Sequence, residues 1–207
     1  MTFGLAVALL AALVALVAPA AAHHVGTWTP RDNEISTNFK QLKFSLQARK
    51  FDVARRLYET GALRRELRAQ AAALPPGLDA AIRAALQAGN PAAAERGLMV
   101  FFVALIRDLA LEADRQLAEA GAPLEVRAAT GRKFLEAIWR YYNLVDFAVT
   151  QHDAKAATAI RLAFEDAEES VKRAPPNPDT MRAPLKQIAR LCSGVIEASS
   201  TSARRDS

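Results

Sequence analysis

Apolar residues recur at spacings of three and four from Ser36 to Ala198, and no stretch sustains the alternation of two that a strand requires. That pattern predicts an all-α fold. Ser36 stands as the N-cap of a first helix bearing Phe39, Leu42 and Leu46, and Asp52 as the cap of a second bearing Val53, Leu57 and Tyr58. Gly61 ends or kinks that helix, and a basic, Ala-rich helical stretch from Leu63 to Leu74 stops at Pro75-Pro76-Gly77. A short helix from Leu78 to Ala88 closes at Gly89, after which Asn90-Pro91 supplies a cap and a first-turn proline for the next.

Every residue between Leu98 and Ile106 is apolar, so that next helix cannot keep one side in water and must be covered on most sides. Gly121 and Pro123 end it. A helix from Leu124 to Thr150, with Gly131 as a candidate break, carries the stripe Phe134, Ile138, Tyr141, Val145 and Val149. Asp153 caps a helix bearing Ile160, Phe164, Ala167 and Val171, and a last helix carries Leu185, Ile188, Cys192 and Val195. Short connections make consecutive helices antiparallel neighbours, so the expected architecture is an up-and-down bundle of four to five long helices with short accessory helices. The phrase Gln47-Ala48-Arg49-Lys50-Phe51-Asp52-Val53-Ala54-Arg55-Arg56-Leu57-Tyr58 looks like part of a tetratricopeptide unit, but no second copy stands 34 residues away, which leaves a helical solenoid the weaker alternative.

Outside the bundle domain, residues 36–198, the pattern changes. Residues 1–22 carry no charged side chain, run apolar from Phe3 to Val17 and close on Pro19-Ala20-Ala21-Ala22, which reads as a secretory signal peptide with an A-x-A-like exit. The apolar run is short for a bilayer span and lacks a charged stop-transfer flank, so no transmembrane segment is expected in the mature chain. The expectation is a periplasmic or secreted protein after cleavage near Ala22. Residues 23–35 read as an extended lead-in and 199–207 as a disordered tail.

Composition narrows the chemistry. Cys192 is the only cysteine, so an intramolecular disulfide, a CxxCH haem attachment, a thiolate zinc site and an iron–sulfur cluster are all excluded. Residues 31–70 carry 10 basic and 5 acidic side chains, 71–171 carry 10 and 14, and 172–207 carry 7 and 3. Basic ends around an acidic middle suit either an electrostatic contact or ordinary solvated faces. A nucleic-acid partner is not expected without a Gly-rich basic arm or an RNA-binding motif. The absence of a G-x-S-x-G elbow, a phosphate loop and H-E-x-x-H gives no support for an enzyme.

Three groups of residues are candidates for binding. Glu136, Trp139, Tyr142, Asn143 and Asp146 share one helix, with Asp146 one turn after Tyr142 and Asn143, so its carboxylate could bind a cation. The competing reading is a structural tie in which Asp146 accepts from Arg161 or Arg107. Asp108 and Glu112 lie one turn apart and could join Glu165, Asp166, Glu168 and Glu169 as carboxylate ligands, although the Glu-x-x-His pair of bundle metal sites is missing. His23 and His24 would present an amino-terminal copper or nickel site after cleavage. A separate interaction patch is expected at Arg55, Arg56, Arg64 and Arg65.

The segments Leu86-Gln87-Ala88-Gly89-Asn90-Pro91-Ala92-Ala93-Ala94-Glu95-Arg96-Gly97-Leu98 and Glu136-Ala137-Ile138-Trp139-Arg140-Tyr141-Tyr142-Asn143 resemble the exported helical domains that accompany bacterial high-affinity iron permeases. The resemblance implies a periplasmic accessory role in handling iron or another metal, with a periplasmic protein or membrane transporter as partner. The permease's R-E-x-x-E signature is absent, since Ala69 follows Arg65-Glu66 where the second Glu would stand, and the imelysin-type G-x-H-x-x-E motif has no counterpart. No family ligand is thereby carried onto a residue of this chain. The expected function is a non-catalytic binding protein, with a metal ion such as iron or copper as the candidate cofactor. The alternative is a structural module that docks through its basic N-terminal helices.

Overall fold

Four long helices from Pro91 onward form a ring, and four shorter ones lie against it. The computed structural model describes residues 30–119, 121–173 and 177–205, and among them every regular element is helical. The short helices are α1 (Glu34–Gln47), α2 (Phe51–Thr60), α3 (Ala62–Ala69) and α4 (Leu78–Gln87). The long ones are α5 (Pro91–Leu117), α6 (Leu124–His152), α7 (Ala154–Lys172) and α8 (Arg182–Arg205). Each long helix packs on the next, and α8 closes back onto α5, which is an up-and-down four-helix bundle. α4 packs on α5, and α1 packs on α2 and α3 while touching α5 and α6.

The apolar run of α5 explains the arrangement. Leu98 through Ile106 are all buried, because α5 is covered by α4, α6 and α8 at once. Phe102 sits where the two groups of helices meet, its ring edge-on to Phe39 of α1 at 4.8 Å and tilted against Tyr141 of α6 at 5.6 Å. Each such side chain stabilises the fold by roughly 1.5–3 kcal/mol through burial alone.

Helix ends follow their local chemistry. Asn90 Oδ1 accepts from the Ala93 amide at 3.0 Å, and Asp153 Oδ1 from the Ala156 amide at 2.9 Å, as the sequence predicts. Two expected caps fall elsewhere. The cap of α1 is Asn33, which accepts from the Ser36 amide while the Ser36 hydroxyl accepts from the Asn33 amide, a reciprocal capping box. α2 begins at Phe51 after Lys50 and has no side-chain cap, so Asp52 lies inside the helix. At the other end of α5 the Arg127 guanidinium donates to the terminal carbonyl of Leu117 and to Asp179.

Four further expectations meet the structure. α6 runs unbroken through Gly131, whose missing side chain makes room for Met181. The lead-in ends at Asn33, two residues before its expected end, because Asn33 is the cap and the helix begins at Glu34. The tail is corrected more fully: α8 continues through 199–205, with Ser199 buried and donating to the Val195 carbonyl at 2.8 Å. The signal-peptide reading of residues 1–22, and His23 and His24, lie outside the described residues.

Candidate functional site

The structure divides the aromatic and polar residues that the sequence places together on α6. Trp139 and Tyr142 turn inward beneath α7, where the indole stacks on Phe164 at 4.5 Å and on Tyr142 at 5.9 Å. The Tyr142 hydroxyl donates to the Ala157 carbonyl at 3.0 Å. Burial, and then the negative charge of Asp146 nearby, push this phenol well above its ordinary range, so it stays a protonated donor. Asp146 lies at the α6–α7 seam, where both its oxygens accept from Arg161 Nη1, at 2.9 and 3.0 Å. Arg107 turns instead to Asp108 Oδ1 at 2.7 Å and to the Ala73 carbonyl at 3.0 Å.

Asn143 is exposed and makes no side-chain hydrogen bond among the described residues, and Phe147 beside it is 69% exposed. Glu136 is half-exposed and accepts from Arg140 Nη2 at 3.2 Å, while Arg140 Nε is buried without a hydrogen-bond partner. On this face the Asp146–Arg161 pair has the arrangement of the structural tie that the sequence offers as its competing reading. Tyr142 is buried under α7, Asp146 meets its edge through Arg161, Glu136 is half-exposed and Asn143 is exposed.

Asp108 and Glu112 fare differently. They line a crevice of about 240 Å³ with Glu66 of α3 and Gln70 at its C-terminal cap, Leu105 and Leu109 of α5, and Tyr141 of α6. Each carboxylate is already engaged. Glu66 accepts from Gln70 Nε2 at 2.6 Å, Asp108 from Arg107, and Glu112 from Arg115 at 2.6 and 2.7 Å and from Gln116 at 2.7 Å. The Arg115 guanidinium, with Gln116, holds the Glu112 carboxyl down to about 2. The Tyr141 hydroxyl accepts from Asn33 Nδ2 at 2.9 Å. Among the described residues no three His, Cys, Asp or Glu side chains converge as a set that could hold a metal ion. The expected partnership of Asp108 and Glu112 with the carboxylates of α7 is not formed: Glu168 is buried and pairs with Lys172 at 3.3 Å, and Glu169 reaches the same ammonium at 3.7 Å. Sequence reading missed Glu66, Gln70 and Tyr141. The i, i+4 spacing of Glu66 and Gln70 was the available signal, whereas Tyr141 reads as a core position of the main stripe and is one.

The basic patch is also redrawn. Arg64 is not part of it: its Nε and Nη2 reach the two oxygens of Asp79 at 2.9 and 3.0 Å, its plane lies over the Tyr58 ring, and the Tyr58 hydroxyl donates to the same carboxylate at 2.9 Å. Asp79 is accordingly held below the usual carboxylate range, first by Arg64 and then by Tyr58. This tie fastens α2 and α3 to α4. Arg56 and Arg68 are exposed and form no ion pair among the described residues. Arg55 and Arg65 reach Asp52 at 3.2 Å and Glu34 at 3.4 Å, both almost fully in water. Such contacts contribute little, roughly 0–1 kcal/mol, and leave both guanidinium groups open to another anion.

No protein-family model, curated protein or solved structure matches this chain. No helix among the described residues is long and apolar enough to cross a membrane.

Proposed function

We propose that this protein is a non-catalytic docking module that engages an anionic partner through α2 and α3, with the α5–α8 bundle as its rigid support. The observation carrying this reading is the set of exposed guanidinium groups on two successive helices, Arg55, Arg56, Arg65 and Arg68, of which two lack any ion pair among the described residues. Desolvating such groups costs little while they remain at the rim, and opposite charge across a contact raises the association rate and fixes register. On the export reading of residues 1–22, the partner is a periplasmic protein or the outward face of a membrane transporter.

The test is binding of a fluorescent poly-glutamate 20-mer followed by anisotropy. Binding should weaken at least tenfold in the triple variant Arg55→Glu, Arg56→Glu, Arg65→Glu, and should fall with rising salt. Reversing the exposed bundle cations Arg132, Lys133 and Arg190 should leave it unchanged. Equal losses in both variants would reduce the effect to net charge and overturn the reading.

One observation favours the second reading, an accessory role in metal handling: Glu66, Asp108, Glu112 and Tyr141 share one crevice. There a cation would have to displace the Arg107 and Arg115 contacts. Stoichiometric iron or copper in protein purified without an affinity tag, lost in Asp108→Asn, would establish it.

A further inference from the structure

A groove of about 550 Å³ runs across α4, α5 and the C-terminal part of α8, on residues that neither reading above employs. Its walls are apolar. Pro75, Pro76, Leu78 and Val100 line it together with the small residues Ala81, Ala93 and Gly97. Gly97 lets α4 and α5 approach closely beside it, since a Cβ there would meet Ile82 Cγ1 at 2.5 Å. The volume falls within the range that holds a small organic ligand.

Among the described residues a single charged side chain lines this groove, and it is a cation. Arg96 is exposed at its wall and makes no hydrogen bond or ion pair among the described residues. Asp79, near the start of α4, is already paired with Arg64 and does not line the groove. Ser200 adds a hydroxyl that donates to the Ile196 carbonyl at 3.0 Å and keeps its lone pairs free to accept. An apolar trough with one unpaired guanidinium complements a molecule with an apolar body and one negative end. We infer that this groove binds a straight-chain monocarboxylate, its alkyl chain along Leu78 and Val100 and its carboxylate on Arg96.

Decanoate is the probe, titrated below its micellar concentration into isotopically labelled protein and followed by the amide resonances of Gly77 and Gly97. Saturable shifts confined to the groove are expected, with the dissociation constant raised at least tenfold in Arg96→Ala and largely restored in Arg96→Lys. Ala93→Phe, which fills the trough, should abolish binding while Arg96 is intact. Decanol, of equal length and no charge, should bind at least tenfold more weakly than decanoate. Absence of saturable shifts, equal binding by Arg96→Ala, or equal binding of decanol would each overturn the assignment. None of these outcomes bears on the α2–α3 face, which the groove does not include.

Discussion

The ring α5–α8 and the layer α1–α4 are both helical, yet different forces hold them. The ring's helices are 19 to 29 residues long and meet along continuous apolar seams, with their polar ties, Arg127 to Leu117, Arg182 to Asp114 and Asp146 to Arg161, at ends and edges. The layer's helices are 8 to 14 residues long and are joined through polar side chains that reach between them, Asn38 onto the α2–α3 junction and Tyr58 and Arg64 onto Asp79 near the start of α4. Asn38 accepts from the Leu63 amide and donates to the Leu57 carbonyl, both at 3.1 Å, and so fastens α1 to the α2–α3 junction. At that junction a Cβ on Gly61 would lie 2.1 Å from Asn38 Oδ1, so glycine is what lets the amide in. Helices shorter than roughly 12–15 residues are marginal alone. They cannot hold register by apolar burial only, and directional hydrogen bonds supply it.

The contrast is broken most severely by emptying the ring's core. Phe164→Ala removes a buried ring stacked on Trp139 and should cost about 3–5 kcal/mol, read from urea unfolding as a lower midpoint with unchanged slope. Asn38→Ala should cost about 1–3 kcal/mol, because it strands a buried amide and carbonyl. Its signature is regional. Hydrogen exchange should accelerate across α1–α3 and remain unchanged in α6 and α7, whereas a uniform acceleration would show the layer and ring to be one cooperative unit.

Acid sharpens the comparison further. The Asp79 carboxyl is depressed in the folded state, so its stabilisation is complete above the unfolded value of about 3.9 and disappears as pH falls through the lower folded value. Arg64 stays charged throughout. The layer should therefore loosen below about pH 4 before the ring does, with exchange in α2–α4 rising first, and Asp79→Asn should remove that pH step. Retention of the step in the variant would place its origin in another carboxylate.

This division of forces also decides what the sequence discloses. The ring is legible because periodic apolar residues and short-range punctuation encode it: Asn90-Pro91 starts α5, Asp153 starts α7, and the unbroken apolar run identifies α5 as the covered helix. The layer's ties join residues far apart in the chain, Asn33 with Tyr141 and Tyr58 with Asp79, and no spacing rule connects them. Arg64 and Arg65 are neighbours of identical type, yet one is a structural partner of Asp79 and the other faces water, because a helix turns about 100° per residue. The same geometry separates Tyr142 from Asn143. A wheel shows the two angles, but only the position of α7 determines which of them is covered.

Asp146 gives the smallest effect and the sharpest distinction between a tie and a site. Its pair with Arg161 is partly exposed, with the two side chains 35% and 28% accessible, so solvent screens it and Asp146→Asn should cost less than about 1 kcal/mol. The amide of asparagine still accepts one hydrogen bond from Arg161. Removing the charge also relieves Tyr142, whose titration in alkali, followed by phenolate absorbance, should move toward its ordinary value. A loss of several kcal/mol would instead mean that Arg161 is left uncompensated in a site drier than its exposure implies. A seam closed by one exposed ion pair tolerates neutralisation, whereas a seam built to hold a cation would lose its ligand with the carboxylate.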